Sequence, residues 1–233
     1  MKCVWEHNGD DTLLYAVDYV GAYTRGERLE VAVAKMKAEI AAYSSWRNQS
    51  GEEDTDIEIV QEKMSSLQIA DADSDILFDS EKAPFSVEEY EALKALVLKS
   101  AKDFYELYSA IPDKHESCLP QRRTFYGNVP RTAQEMYEHT KNVNSYYFGE
   151  IGIDVDNEGT IYQCRKRGFI LLEQTRGFLE NPVIEGSYGE LWSLRKVMRR
   201  FLWHDRIHAK AMYRMAIKTF GDLMAENPFH FTI

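Results

Sequence analysis

The chain has 233 residues, 44% of them hydrophobic, and its 38 acidic and 28 basic side chains give a net charge of −10. This length fits one large domain or two small ones, and we expect two. An acidic chain repels phosphate backbones, so nucleic acid is not an expected partner. No apolar run reaches the roughly 18 residues of a membrane-spanning helix, so we expect no membrane association.

The compartment is predicted from the first residues and from the cysteines. Glu6 and Asp10 come before an apolar signal segment could form, so we expect no signal peptide. Cys3, Cys118 and Cys164 are odd in number, lie far apart and form no C-x-x-C pair. This usage is typical of free thiols in a reducing environment, and it predicts a cytoplasmic protein.

The first predicted unit, residues 1–82, is a small α+β domain. Residues 2–19 contain two runs of β-branched and aromatic residues around an Asn-Gly-Asp-Asp turn, which predicts a hairpin. Residues 27–47 carry apolar side chains at helical spacing. Further short strands are predicted at 57–60 and 76–78.

The second predicted unit, residues 83–233, contains four amphipathic helices. A capping box at Ser86 opens the first helix, and a Thr-x-x-Glu box at Thr132 opens the second. The third is predicted over about 160–179 and the fourth over about 189–224. Four such helices after one α+β unit predict an all-α four-helix bundle with an N-terminal domain attached.

Three of the six histidines are predicted to face the interior of this bundle. On the fourth helix, His204 and His208 continue an apolar stripe whose members recur every three or four residues. The stripe comprises Leu191, Leu194, Val197 or Met198, Phe201, Met212 and Met215. On the second helix, His139 shares one face with Met136 and Val143.

Inward imidazoles on two helices have two interpretations. Neutral imidazole nitrogens bind divalent transition metals, and three ligands would leave one position open for water. Alternatively, a separate hydrogen bond in the core satisfies each histidine. Burying several imidazole rings costs free energy unless each ring has a bonding partner, and this favours the interpretation as a metal site.

Two other polar features of the second unit have no predicted chemical role. Asp205 stands where His-Glu-x-x-His metalloproteases carry a glutamate. We predict a surface position for it, with the alternatives of holding an imidazole or acting as a weak base. Residues 154–165 match the start of a calcium loop, but Arg165 replaces the required glutamate at the twelfth position, so we predict a polar connection.

Basic residues of the fourth helix could recognise an acidic thiol. We predict instead that they form mainly the solvated side of that helix. They are Arg195, Arg199, Arg206, Lys210 and Arg214.

The histidine pattern resembles that of a known family. Residues 132–139, 146–151 and 194–208 are similar to the DinB/YfiT-like superfamily of four-helix proteins, and the resemblance covers about two thirds of the chain. In that superfamily, one histidine of the second helix and an H-x-x-x-H pair of the fourth bind a divalent metal. The resemblance therefore implies that His139, His204 and His208 are metal ligands, and it implies a homodimer.

The resemblance also implies a function. It implies a divalent metal, zinc or nickel, and for some relatives a low-molecular-weight thiol. The expected protein is a metal-dependent thiol S-transferase or a hydrolase acting on a small-molecule substrate. The alternative is a non-catalytic interaction protein with a structural metal or none. Residues 21–32 resemble the N-terminal domain of HicB antitoxins, which implies a protein partner for this domain.

Overall fold

A computed structural model describes residues 1–49, 56–124, 127–223 and 226–232. The N-terminal part folds into one mixed sheet and one helix. Their bounds are Lys2–His7 (β1), Thr12–Ala16 (β2), Tyr23–Gly26 (β3), Leu29–Trp46 (α1) and Glu58–Met64 (β4). The strand order is β3-β2-β1-β4, in which β1 is antiparallel to β2 and parallel to β4. The predicted hairpin, the first helix and the strand near 57–60 are confirmed.

The two faces of this sheet are covered by different parts of the chain. Because successive strand residues point to opposite faces, Leu13 and Leu14 of β2 belong to different apolar clusters. Leu14 shares the main core with α1, whereas Leu13 packs in a second cluster with Phe78 and Trp203. The prediction of a strand at 76–78 is wrong, because this segment covers a face of the sheet and adds no strand to its edge.

Four further α-helices follow. Their bounds are Val87–Ala110 (α2), Ala133–Gly149 (α3), Ile161–Leu172 (α4) and Leu194–Phe220 (α5). Each begins after a serine or threonine whose hydroxyl accepts a hydrogen bond from a backbone N–H of the first turn. Both α4 and α5 pack against α2 and α3. Helices α3 and α5 are therefore neighbours, which brings their histidines close together.

The prediction of an all-α four-helix bundle over 83–233 is wrong. This region also contains two antiparallel ribbons, with bounds Arg123–Thr124 (β5), Gly127–Asn128 (β6), Ile184–Glu185 (β7) and Leu191–Trp192 (β8). Helix α5 begins at Leu194 instead of near 189, because Tyr188 and Gly189 have φ angles of 62° and 73° that a right-handed helix does not accept. Apolar spacing does not reveal such a break.

Helix α5 packs against both parts of the molecule. Its Trp203 lies in the cluster on the sheet, and its Phe201 lies in the main core. This core runs from β2 through α1 into helices α2 to α5. The turn at Gly21 (φ +92°) approaches α5 so closely that a Cβ there would lie 2.5 Å from Cβ of Leu202.

None of the described helices has the length and apolar character needed to cross a membrane.

Candidate metal centre

The three predicted ligand histidines come together between α3 and α5. His204 and His208 lie one turn apart on α5, and His139 lies on α3. Nε2 of His139 is 3.2 Å from Nε2 of His204, and the three ring centroids are 4.4 to 5.0 Å apart. The predicted convergence is confirmed, while metal ligation by these rings stays a prediction.

The separations suit a metal ion. Zinc–nitrogen bonds of about 2.0–2.1 Å in a tetrahedral site place two ligand nitrogens about 3.3 Å apart. The 3.2 Å between His139 and His204 corresponds to one such edge. Ligand nitrogens of all three rings lie within 4.8 Å of one another, a gap that side-chain rotation can close. The three histidines could therefore hold a metal ion.

The surrounding protein keeps the three rings neutral near pH 7. Neighbouring side chains displace water from part of the His139 ring and lower its pKa below the usual 6.5, although the residue keeps an exposed surface. Burial, together with the charge of His139, lowers the pKa of His208 to about 3. Burial and the other two histidines hold the pKa of His204 well below 6.5. A neutral imidazole presents the lone pair that a metal requires.

The alternative, a separate core hydrogen bond for each histidine, does not match the described residues. Among them, the contact between His139 and His204 is the one hydrogen bond made by any of the three rings. Nδ1 of His204 is buried and has no hydrogen-bond partner in the described part of the chain. Leaving a buried polar atom unpaired costs about 1–3 kcal/mol. The fold therefore does not satisfy these rings one by one.

The cluster is open on one side. His204 is buried, His208 is partly exposed and His139 is exposed. Within the part of the chain that the structure describes, no cysteine or carboxylate joins the three histidines at ligand distance. Three protein ligands beside an exposed edge leave a coordination position for water or a substrate.

Asp205 is buried, so the prediction of a surface position is wrong. Its carboxylate accepts hydrogen bonds from Arg165 at 2.6 and 3.0 Å and from Ser100 at 2.6 Å. Both members of the ion pair are fully shielded from solvent. The pair joins α5 to α4, and the serine joins it to α2. A carboxylate with these partners is a structural anchor and has no free oxygen to act as a base.

Two basic residues predicted on the solvated side of α5 are also buried. Arg199 pairs with Glu81, and Arg206 pairs with Glu39. The prediction is wrong for both, because the N-terminal part covers this side of the helix and supplies the carboxylates. Glu81 lies 118 positions from its arginine and Glu39 lies 167 positions from its own. Helical spacing alone does not detect such partners.

Arg200 lies near the histidines and was missed by the sequence analysis. It stands one turn before His204 on α5. Its guanidinium lies 5.5 Å from the ring of Tyr147, which in turn meets the ring of His204 edge-on at 6.1 Å. A signal was present in the sequence, since positions 200, 204 and 208 follow one another in steps of four.

A concave surface lies apart from the histidines, between the end of α3 and the β7 ribbon. Its volume is about 470 Å³, and Tyr146, Glu150 and Ser187 are among its lining residues. The three histidines do not line it. This concavity is therefore separate from the histidine cluster.

Comparisons with known proteins leave the family open. No protein-family model matches the chain, and searches of curated proteins and of solved structures find no match. The resemblances to DinB/YfiT-like and HicB proteins stay predictions.

Proposed function

We propose that the protein binds one divalent transition metal through His139, His204 and His208 and uses it to act on a small molecule. The observation that carries this proposal is the convergence of three neutral imidazoles, two of them in contact at 3.2 Å, with one exposed edge. Three imidazole nitrogens favour zinc or nickel over magnesium or calcium, which prefer oxygen ligands.

The open edge supports a catalytic role over a purely structural one. Structural zinc sites are closed by four protein ligands, whereas catalytic sites keep one position for water or substrate. A metal held here would lower the pKa of a bound thiol or water and so supply a nucleophile near neutral pH. The reactions we propose are therefore thiol S-transfer and hydrolysis, and the resemblance to DinB/YfiT-like proteins supports the thiol.

Residues around the cluster would keep the histidine rings in position. Tyr147 packs edge-on against His204 and limits rotation of that ring. The buried pair of Asp205 and Arg165 fixes the turn of α5 that carries His204. His139 lies at the exposed edge, where a small molecule would enter.

Thermal unfolding with added metal tests the binding. The wild type should be stabilised by zinc or nickel by about 2.7 kcal/mol when free metal is a hundred times Kd. His204→Ala should lose this response, because a ligand is gone. His115→Ala is the matched control, since His115 is an exposed histidine far from the cluster in the sequence. An equal response of all three proteins to every metal would contradict the proposal.

Turnover tests the catalytic part separately. Metal-loaded wild type is assayed with a low-molecular-weight thiol plus electrophilic acceptors, and with a panel of small esters and amides. We expect turnover that chelation and His204→Ala both abolish. Tight metal binding without turnover on either panel would favour the alternative, an interaction protein with a structural metal.

A further inference from the structure

Arg200 differs from other arginines of α5 in its partners. Arg195, Arg199 and Arg206 each pair with a glutamate. Among the described residues, Arg200 has no carboxylate at salt-bridge distance, and its Nη1 donates a hydrogen bond to the carbonyl oxygen of Ser74 at 2.7 Å. Its guanidinium also interacts with the hydroxyl of Tyr147, while its buried Nε has no acceptor among those residues. Burying much of a guanidinium without a directly paired anion costs folding free energy. Binding of an anion from solution would reduce this cost.

The acidic residues near Arg200 have other partners. Glu190 lies 2.8 Å from Nζ of Lys196. Glu6 accepts a hydrogen bond from the hydroxyl of Ser74 at 2.5 Å. Both carboxylates attract the charge of Arg200 from a distance and raise its pKa, but within the described part of the chain neither forms a direct ion pair with its guanidinium.

Three aromatic rings surround Arg200, and two of them carry N–H donors. Its guanidinium lies 4.9 Å from the ring of Trp203, 5.5 Å from Tyr147 and 5.6 Å from Trp192. The indole N–H groups of both tryptophans are buried, and no described residue accepts a hydrogen bond from either. Buried polar groups are nearly always paired in folded proteins. A cation beside unpaired N–H donors is a suitable environment for an anion.

We propose that Arg200 recognises the carboxylate of the small molecule that reacts at the histidine cluster. Arg200 precedes His204 by one turn, about 6 Å along the helix axis, and Tyr147 contacts both. Arg200 keeps part of its surface exposed, so a ligand can reach it. A guanidinium binds a planar carboxylate through two parallel hydrogen bonds.

This inference rests on the proposed function, which places the reacting group of the ligand at the histidine cluster. It adds that the ligand is a carboxylic acid. The ligand carries a carboxylate a few bonds from its thiol or scissile bond. A neutral analogue should bind the cluster without using Arg200.

Titration of two matched thiols into the cobalt-loaded protein tests the proposal. The probes are 3-mercaptopropionate and its neutral analogue 3-mercaptopropan-1-ol, and cobalt absorption reports thiolate binding. The wild type should prefer the acid by roughly tenfold, which is about 1.4 kcal/mol. Arg200→Gln should bind both thiols alike, with the affinity for the alcohol unchanged. Arg214→Gln, an exposed arginine of the same helix, should keep the preference.

Two results would overturn the assignment of Arg200: a wild type that does not distinguish the thiols, or an Arg200→Gln variant that still prefers the acid. If circular dichroism shows Arg200→Gln to be unfolded, Arg200→Met replaces it, because an unbranched apolar side chain fits among aromatic rings. The same loss of preference is expected, and retention of the preference would again overturn the proposal.

A metal-free titration separates this proposal from the metal site. Propionate and propan-1-ol are added to the metal-free protein, and tryptophan fluorescence is recorded, since Trp192 and Trp203 adjoin Arg200. Saturable quenching by propionate alone, lost in the Arg200 variant, would support the anion site even if cobalt does not bind. Cobalt binding without any preference for a carboxylate in either experiment would leave the metal proposal standing and refute this one.

Discussion

Helix α5 carries buried polar residues on two sides, and the two sides differ in their partners. Toward the N-terminal part, Arg199 and Arg206 each meet a glutamate. Toward α3, His204 has a buried nitrogen without a partner, and the guanidinium of Arg200 has no carboxylate among the described residues. On the first side each guanidinium has a carboxylate partner, although one nitrogen of each arginine, Nη1, is buried without an acceptor among the described residues. On the second side we propose that a metal ion and an anion supply the missing partners.

We therefore expect the paired side of α5 to contribute mainly to stability and the other side to contribute mainly to the proposed function. Buried ions that the chain itself neutralises hold two parts of the molecule together. Buried groups that the chain leaves unpaired are a cost to folding, and binding of a metal or an anion would remove that cost.

The largest expected effect is on the paired side. Glu39→Ala leaves Arg206 buried without its carboxylate and also removes the partner of Lys210. Breaking a buried pair in this way costs about 3–5 kcal/mol, measured by urea unfolding at pH 7. Lys102→Ala breaks an exposed pair with Glu106 and should change stability by less than about 1 kcal/mol. Similar small losses in both variants would show that the paired side contributes little.

A smaller effect is expected where the N-terminal turn touches α5. Gly21→Ala places a Cβ 2.5 Å from Cβ of Leu202. Gly9→Ala is the matched control, because its φ of +95° is close to the +92° of Gly21 and no atom lies within 4 Å of the added Cβ. Both variants share the cost of the left-handed backbone, so Gly21→Ala should lose about 1–3 kcal/mol more from overpacking. Equal losses by urea unfolding would contradict the close contact.

The smallest effect concerns the histidine side in the absence of metal. The unfolded chain protonates a histidine near pH 6.5, whereas His208 stays neutral in the fold down to a pKa of about 3. The unfolded state thus binds more protons between these values, and stability falls as pH falls through that window. The expected loss is on the order of 1 kcal/mol per pH unit for such a ring.

Substitution of His208 isolates this contribution. Stability of the metal-free protein is measured by urea unfolding at pH 7 and pH 5. His208→Gln should lose less stability on acidification than the wild type does, and His115→Gln, at an exposed position, should behave like the wild type. Identical losses in the wild type and His208→Gln would show that His208 is not kept neutral by burial.

Local periodicity predicted the convergence of the three histidines because all of them lie in regular helices. His204 and His208 follow a stripe of buried residues, and His139 lies in a helix that begins at a recognisable cap. Their convergence then requires only that α3 and α5 be neighbours. The exposed position of His139 is not visible in the sequence, because it depends on the other helices and on what they leave uncovered.

What the sequence did not reveal depends on distant or very short features. Asp205 was assigned to the surface because its partner Arg165 lies 40 positions away. The β7 and β8 strands have two residues each and show no periodic pattern. A left-handed Tyr188 delays the start of α5, and tyrosine is not a residue that signals such a turn.

The most direct test of the metal centre is the zinc content of the full chain, purified without an affinity tag, incubated with zinc and desalted. Elemental analysis should find one zinc per chain in the wild type and His115→Ala, and much less than one in His139→Ala, His204→Ala and His208→Ala. A wild type without zinc, or single-histidine variants that retain the full content, would contradict a three-histidine metal site between α3 and α5.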